Sequence, residues 1–262
     1  MHNGDFILER QMVHIIKDVC QKRNIQIEAF SDDWILRLSR NNQMHYVYGY
    51  HFGLNNGASV EISNDKVATY QLLNAAHIPA VPHLLASTRA TQHDSWSSHA
   101  TGWNSFLIKP THGGGGRGIR LFSDVEAAKS IMSALSEQDW CVSPFLPIKK
   151  ETRLVMLDGE VLLAFEKHDP VLQDGIPMFN LRLGARAVNR EPSDEIVSLA
   201  KQTQQTLGLR LTTVDIVELE NGESMVLELN DGFSLEHYMK QDEANLEHAH
   251  RVYDAIITKL FE

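Results

Sequence analysis

Apolar residues at Ile7, Leu8, Met12, Ile15, Ile16 and Val19 recur with a period near 3.6, which predicts a helix over residues 6–23 with one buried face. The period then shortens to two. Residues 25–30, 34–38 and 46–50 read as short strands, with Asn41-Asn42 as the turn between the last two. Residues 49–62, rich in Gly and Asn, lose periodicity and are expected to follow an irregular path. A capped helix follows over residues 63–79, opened by Ser63, Asn64 or Asp65 and closed by His77-Ile78-Pro79. Lys66 falls in its first turn, where the helix dipole favours acids. A bound anion would explain that placement, but the dipole is worth only about 0.3–1 kcal/mol, so chance explains it as well.

Residues 87–104 are polar and aperiodic, a connecting loop with room for a short helix. Phe106, Leu107 and Ile108 then form a strand that ends on Lys109 and Pro110, and a strand-like pattern resumes from Arg117 to Phe122 after four consecutive glycines. Bare amides at Gly113, Gly114, Gly115 and Gly116 can close over a polyphosphate, with Lys109 and Arg117 supplying cationic charge. A plain flexible loop has the same composition. Ser123-Asp124-Val125-Glu126 is a capping box, and the helix behind it buries Val125, Ala128, Met132 and Leu135. Residues 140–143 are a strand broken by Pro144, and the SPFLP segment offers extended backbone that can hold a flat base edge-on, or simply ends the strand.

Two hairpins carry the sharpest argument. Asp158-Gly159 joins residues 152–157 to 160–167, and Asn221-Gly222 joins 212–220 to 223–230, each with two-residue turn chemistry. Counting outward from Asn221-Gly222 pairs Glu220 with Glu223 and sets Asp215 opposite Glu228, with Asn230 on the same face. That count puts Val217, Leu219 and Val226 beside the acids, and Ile216, Met225, Leu227 and Leu229 on the other face. Opposed carboxylates in an apolar frame destabilise a sheet unless a cation sits between them. Magnesium suits three such oxygen donors, because it accepts one or two carboxylates together with substrate phosphates. A solvated hairpin face is the competing account.

Composition narrows the classes. The chain has 262 residues, 43% of them hydrophobic, enough for one large domain or two small ones around a cleft. A net charge of −10 argues against a nucleic-acid surface, and no run of about 18 apolar residues suggests a membrane span. Cys20 and Cys141 are far apart with no CxxC, which fits a reducing cytoplasm and excludes a disulfide scaffold. The thirteen histidines show no HxxxH spacing; His248 and His250 read as surface residues of a C-terminal helix. GGGGRG lacks the lysine and hydroxyl of a Walker loop.

The order DK-helix-IP, LIKP with a glycine loop, PFLP, VDI and LELN resembles the ATP-grasp superfamily from about residue 63 onward. It is most similar to the branch of glutathione synthetases, cyanophycin synthetases and ribosomal-protein glutamate ligases. The resemblance implies an α+β fold in which two subdomains clamp ATP, with a shortened N-terminal region at 1–62, a lid subdomain at 63–142 and a metal-bearing subdomain at 143–262. It implies a carboxylate–amine ligase working through an acyl phosphate, with ATP and two Mg2+ ions, Mn2+ being an alternative, and small-molecule or peptide substrates. It also implies that Lys66 and Lys109 hold the phosphates under Gly113–Gly116. Ser143, Phe145 and Leu146 would take the adenine and Glu151 the ribose. Arg153 would bind the substrate carboxylate or the acyl phosphate, and Asn180 and Arg182 would stand near the γ-phosphate. Asp215, Glu228 and Asn230 would hold the metal, Glu228 bridging two ions. Assembly into a homo-oligomer is compatible with this reading. Two features depart from the family pattern. Only about sixty residues precede Lys66, and DGFSLE follows Asn230 in place of a small-residue and proline turn, which puts the acceptor end of the pocket in doubt.

Overall fold

The computed structural model describes residues 10–86, 95–134 and 139–262. The chain forms two compact units, one of residues up to Asn55 joined by Gly232–Glu262, the other of Asn56–Asp231.

In the first unit, helix α1 (Gln11–Lys22) buries Met12, Val13, Ile15, Ile16, Val19 and Cys20 along one face, as the sequence period requires. Ile7 and Leu8, assigned to the same helix, lie outside the described residues. Arg10 offers no side-chain cap. Instead the fully buried Glu236 carboxylate accepts from the N–H groups of Gln11 and Met12, each at 3.0 Å. A buried acid is tolerated there because it meets both unpaired amides and the positive end of the helix dipole. Strands β1 (Gln26–Phe30), β2 (Ile35–Arg40) and β3 (Gln43–Tyr48) form an antiparallel meander. Asn41 and Asn42, both at positive φ, make the two-residue turn.

The second unit opens with a departure from the sequence reading. Part of the segment expected to be irregular is a helix, α2 (Gly57–Asn64), with Asn56 as its N-cap accepting from Ser59 N–H. Asp65 separates it from α3 (Lys66–Ala75) and caps α3 through Val67 and Ala68 N–H. Strand β4 (Leu84–Ala86), helix α4 (Ser95–Ala100), strands β5 (Phe106–Pro110) and β6 (Arg120–Phe122), helix α5 (Val125–Ala134) and strand β7 (Trp140–Pro144) follow. The four strands pair in the order β4-β7-β5-β6. One face of this sheet packs Phe106, Ile108, Trp140 and Val142 against Trp96 of α4 and Ala128 and Met132 of α5. Leu135 and residues 87–94 of the connecting loop lie outside the described residues.

Strands β8 (Ile148–Leu157) and β9 (Glu160–His168) and the small hairpin β10 (Val171–Gln173) and β11 (Ile176–Met178) come next. They precede β12 (Arg186–Asn189), helix α6 (Asp194–Thr206), β13 (Leu211–Leu219) and β14 (Ser224–Asn230). An antiparallel sheet of order β12-β9-β8-β13-β14 results. Leu154, Met156, Val214, Ile216, Val226 and Leu229 form its covered face, packed on Leu199 and Ala200 of α6 and Leu73 of α3. The chain then returns to the first unit through α7 (Glu236–Met239) and α8 (Glu243–Leu260), which packs on α1. The C-terminal helix thus packs with the N-terminal region, whereas the sequence division grouped it with the metal-bearing subdomain. On α8, His248 meets Tyr238 Oη at 2.9 Å and His250 meets Asp18 at 2.7 Å, so both are half-buried structural partners.

Both hairpins differ from the simple count by one residue. The β13–β14 loop spans three residues, 220–222, closed by Leu219 N–H to Glu223 O at 2.9 Å with Gly222 at φ +88°. A bulge at Leu227 then restores the count, so Asp215 still pairs with Glu228. Between turn and bulge the faces are exchanged. Val226 joins the covered core with Ile216, while Met225 and Leu227 pack with Val217 and Leu219. In the β8–β9 hairpin, Asp158-Gly159 is a true two-residue turn, but a bulge at Leu162 pairs Glu151 with Lys167 rather than Glu166.

Candidate nucleotide and metal site

Register across the five-stranded sheet places Phe165, Arg153, Asp215 and Glu228 in one row, with Glu151 opposite Lys167 two residues along and Thr213 opposite Asn230 on the other side. Asp215 is completely buried. Arg153 grips it with two hydrogen bonds, Nε to Oδ1 at 2.7 Å and Nη2 to Oδ2 at 2.5 Å, and Lys167 Nζ stands 3.3 Å from Oδ1. Burial alone would raise the acid, but the two cations outweigh it and hold its pKa at about 2. The chain thus supplies cations of its own beside Asp215. Arg153 stays charged through the same pair, its pKa raised by Asp215 against burial.

Lys167 was missed in the sequence, since only the bulge brings it to the site. It also pairs with the buried Glu151 carboxylate. Burial, helped by nearby Asp215, raises Glu151 above the ordinary carboxylate range against the pull of Lys167. Glu151 is thus engaged by a lysine at the position assigned to the ribose.

Glu228 and Asn230 are half-buried, joined by a long 3.5 Å contact from Asn230 Nδ2 to Glu228 Oε1. Beside them, the buried Thr213 Oγ1 has no hydrogen-bond partner among the described residues. A carboxylate offers about four acceptor positions. Arg153 and Lys167 occupy three on Asp215 and leave one on Oδ2. With Glu228, Asn230 and Thr213 this makes a set of hard oxygen donors, which fits Mg2+. Among the described residues no group of three or more His, Cys, Asp or Glu side chains is arranged to hold a metal ion, so the amide and hydroxyl oxygens would have to complete this set.

The glycine loop meets cations from two directions. Lys66 Nζ donates to Gly113 O at 2.6 Å, and Arg182 Nη2 reaches Gly115 O at 3.4 Å. Lys66 thereby finds a partner that its helix position lacks. Asn180 Oδ1 caps the turn Leu181–Leu183 by accepting from Arg182 N–H, so a local structural role accounts for part of its chemistry. Arg117 is exposed on the loop. Lys109, only 7% exposed, sits on β5 beside Cys141 of β7, with no carboxylate within ion-pair distance among the described residues. Burial depresses its pKa, with Lys66 adding to the effect and Glu228 opposing it. A buried cation without a counterion favours an incoming anion.

Segment 79–81 runs along β14, with Val81 N–H to Val226 O and Val226 N–H to Pro79 O, each at 2.9 Å. This tie brings α3 and the edge of the four-stranded sheet against Glu228. Ser143 is buried on β7, Phe145 N–H donates to Ser105 O at 3.0 Å, and Leu146 joins the apolar group of Val81, Val217 and Leu227. Of the sequence-assigned residues, Lys66 and Glu228 line one recess, and both act electrostatically on Lys109.

Two antiparallel sheets joined by a short hinge, one of them carrying a glycine loop between β5 and β6, define an ATP-grasp fold, and solved structures agree. An ATP-grasp ligase, PsnB, complexed with a minimal precursor, covers 78% of this chain and 63% of its own at TM-score 0.59 and 21% identity. A bifunctional glutathione synthetase from Pasteurella multocida covers 95% of this chain and 44% of its own at TM-score 0.62 and 16% identity. The model of the RimK-like ATP-grasp domain matches residues 63–256, and the chain belongs to that family. A probable alpha-L-glutamate ligase of Legionella pneumophila is 28% identical over 198 residues, 74% of this chain. The match spans 64% of that relative's length. Among the described residues no helix is long and apolar enough to cross a membrane.

Proposed function

We propose that this chain is an ATP-dependent carboxylate–amine ligase acting on a small-molecule or peptide carboxylate. The observation that carries this reading is the buried Lys109, which has no carboxylate within ion-pair distance among the described residues and feels the charges of Lys66 and Glu228, while Lys66 and Arg182 reach the carbonyls of Gly113 and Gly115. Lys66, Lys109 and the amides of Gly113–Gly116 would hold the phosphates, and Ser143, Phe145 and Leu146 the base. Asp215, Glu228 and Asn230 would hold Mg2+, which screens charge on the phosphates and polarises the transferred phosphoryl group. Two ions, or Mn2+, are compatible with the same donors.

A substrate carboxylate oxygen attacks the γ-phosphorus, the bond to the bridging oxygen breaks, and ADP leaves with an acyl phosphate formed. Arg182 would neutralise charge that develops on the phosphoryl oxygens, a role its reach to Gly115 O on the glycine loop supports. Arg153 commits Nε and Nη2 to Asp215, which leaves Nη1 as its donor for the substrate carboxylate. An amine then attacks the acyl carbon, phosphate departs and the amine loses a proton, giving the amide. The glutamate-ligase relative and the peptide-bound neighbour support a peptide or amino-acid substrate.

Turnover of Mg-ATP with hydroxylamine and a panel of carboxylates tests the reading, with hydroxamate the expected product. ADP with a stable phosphorylated product would instead mark a kinase, and stabilisation by Mg-ADP without turnover a regulatory nucleotide-binding protein; either contradicts ligation.

The loop makes its own prediction. Gly116 has φ +76°, and an added Cβ would stand 2.1 Å from Met178 Cε. The methionine tip can move, but the left-handed backbone still costs a side chain about 1–2 kcal/mol. Gly116→Ala should weaken ADP binding roughly tenfold, and adding Met178→Ala should recover only part of the loss. Unchanged affinity by calorimetry would show that this loop does not close on phosphate.

A further inference from the structure

Strand β4 pairs with β7 through Leu84↔Val142 and Leu85↔Cys141, and β5 pairs with β7 through Leu107↔Ser143 and Lys109↔Cys141. Side chains alternate along a strand. Leu84, Val142 and Ile108 point into the core under α4 and α5, so Ser143, Cys141 and Lys109 share the opposite face. One step beyond Leu84, the same register sets His83 beside Ser143. Both are buried, at 3% and 1% exposure, and both His83 Nε2 and Ser143 Oγ have no hydrogen-bond partner among the described residues. Two such atoms on one face of a sheet are costly unless something meets them.

The sequence reading set the histidines aside, and nothing in the motif pattern singles out His83. Its ring hydrogen-bonds the backbone at Val81. Burial, then Lys109 and Lys66, depress its pKa well below the ordinary value, so the imidazole is neutral. With Nε2 the unpartnered atom, the proton belongs on Nδ1 facing Val81, and Nε2 presents a lone pair. His83 lines a recess together with Lys66, Tyr70, Val81, Leu227 and Glu228.

An acceptor of fixed tautomer next to a hydroxyl that can donate is complementary to one edge of adenine, which carries a 6-amino donor beside the N7 acceptor. A 6-oxopurine presents two acceptors there, and its O6 would face the His83 lone pair. We propose that His83 and Ser143 read this edge, His83 Nε2 accepting from the 6-amino group and Ser143 Oγ donating to N7, and so select adenine over 6-oxopurine nucleotides. This rests on the nucleotide-site reading above and adds a specificity-determining residue to it.

Calorimetric binding of ADP, inosine diphosphate and 7-deaza-ADP to the full chain tests it. The wild type should prefer ADP to inosine diphosphate by on the order of 10²-fold, and to 7-deaza-ADP by roughly tenfold. His83→Phe, which fills the space without an acceptor, should lower the ADP-to-inosine ratio roughly tenfold, and His83→Gln, whose amide oxygen accepts, should restore much of it. Ser143→Ala should bind ADP and 7-deaza-ADP alike. A wild type indifferent to the loss of N7, together with a His83→Phe ratio equal to wild type, would mean that the pair holds only a buried water, and the inference would fall. The 7-deaza comparison uses the unaltered protein, so it stands even if a variant fails to fold. Lys109→Met separates the two readings. If it weakens ADP binding while His83→Phe leaves the ratio intact, the base-reading pair fails alone; if the wild type binds none of the three nucleotides, both readings fail.

Discussion

Glu228→Ala should lose about 10³-fold or more of turnover while melting close to the wild-type temperature. The activity loss follows from removing a donor that faces both Lys109 and the acid row, where a metal ion supplies several kcal/mol of charge stabilisation and about 1.4 kcal/mol is a factor of ten. The small stability change follows from the surroundings. Glu228 lies directly opposite Asp215, a repulsion of a few tenths to about 1 kcal/mol, but it is also attracted to Arg153 and Lys109, so the two effects offset each other. An activity loss without a stability loss is what a functional acid predicts. A structural acid would lose stability on removal. Undiminished turnover with hydroxylamine as the amine would remove Glu228 from the chemistry.

Arg153→Ala should cost about 3–5 kcal/mol of unfolding free energy, read from the urea midpoint, a large share of the about 5–15 kcal/mol that a domain has. Asp215 is 0% exposed, and without Arg153 it keeps only Lys167 at 3.3 Å. Leaving a buried charge short of a partner costs more than the pair contributes, so the double variant Arg153→Met with Asp215→Leu should recover most of the loss. The pH dependence has a definite sign. An acid held at about 2 when folded contributes its stability above the unfolded carboxylate value near 4, and that contribution fades as pH falls between the two. The gap between wild type and Arg153→Ala should therefore be flat above about pH 4 and shrink below it. A loss under about 1 kcal/mol would mean that Asp215 is solvated in a way its burial denies.

The two predictions show why parts of the site were legible and parts were not. Lys66 and Lys109 announced themselves because each ends a recognisable element, a capped helix and a short strand, next to four glycines whose chemistry is local. Asp215 and Glu228 were paired by counting from a turn. That count held only because a three-residue loop and the bulge at Leu227 offset each other by one residue apiece. Between the two, the count assigned Val226, Met225 and Leu227 to the wrong faces. Helix α2 was hidden because Asn56 is a cap only if the chain after it is helical, and in a run of Gly and Asn a turn residue and a cap look the same.

By itself the sequence determined the first helix, the strand meander, the two long hairpins, the glycine hinge and the order of motifs that marks the family, since these rest on short-range periodicity and turn chemistry. The tertiary structure alone decided that Asp215 is neutralised by Arg153 and Lys167, that Glu236 caps a helix more than two hundred residues away, and that His83 and Ser143 are buried with polar atoms unpartnered among the described residues. The physical reason is parity. In a strand of period two, one bulged residue turns every later side chain to the other face, and whether a bulge forms is settled by packing between segments that are distant in the chain.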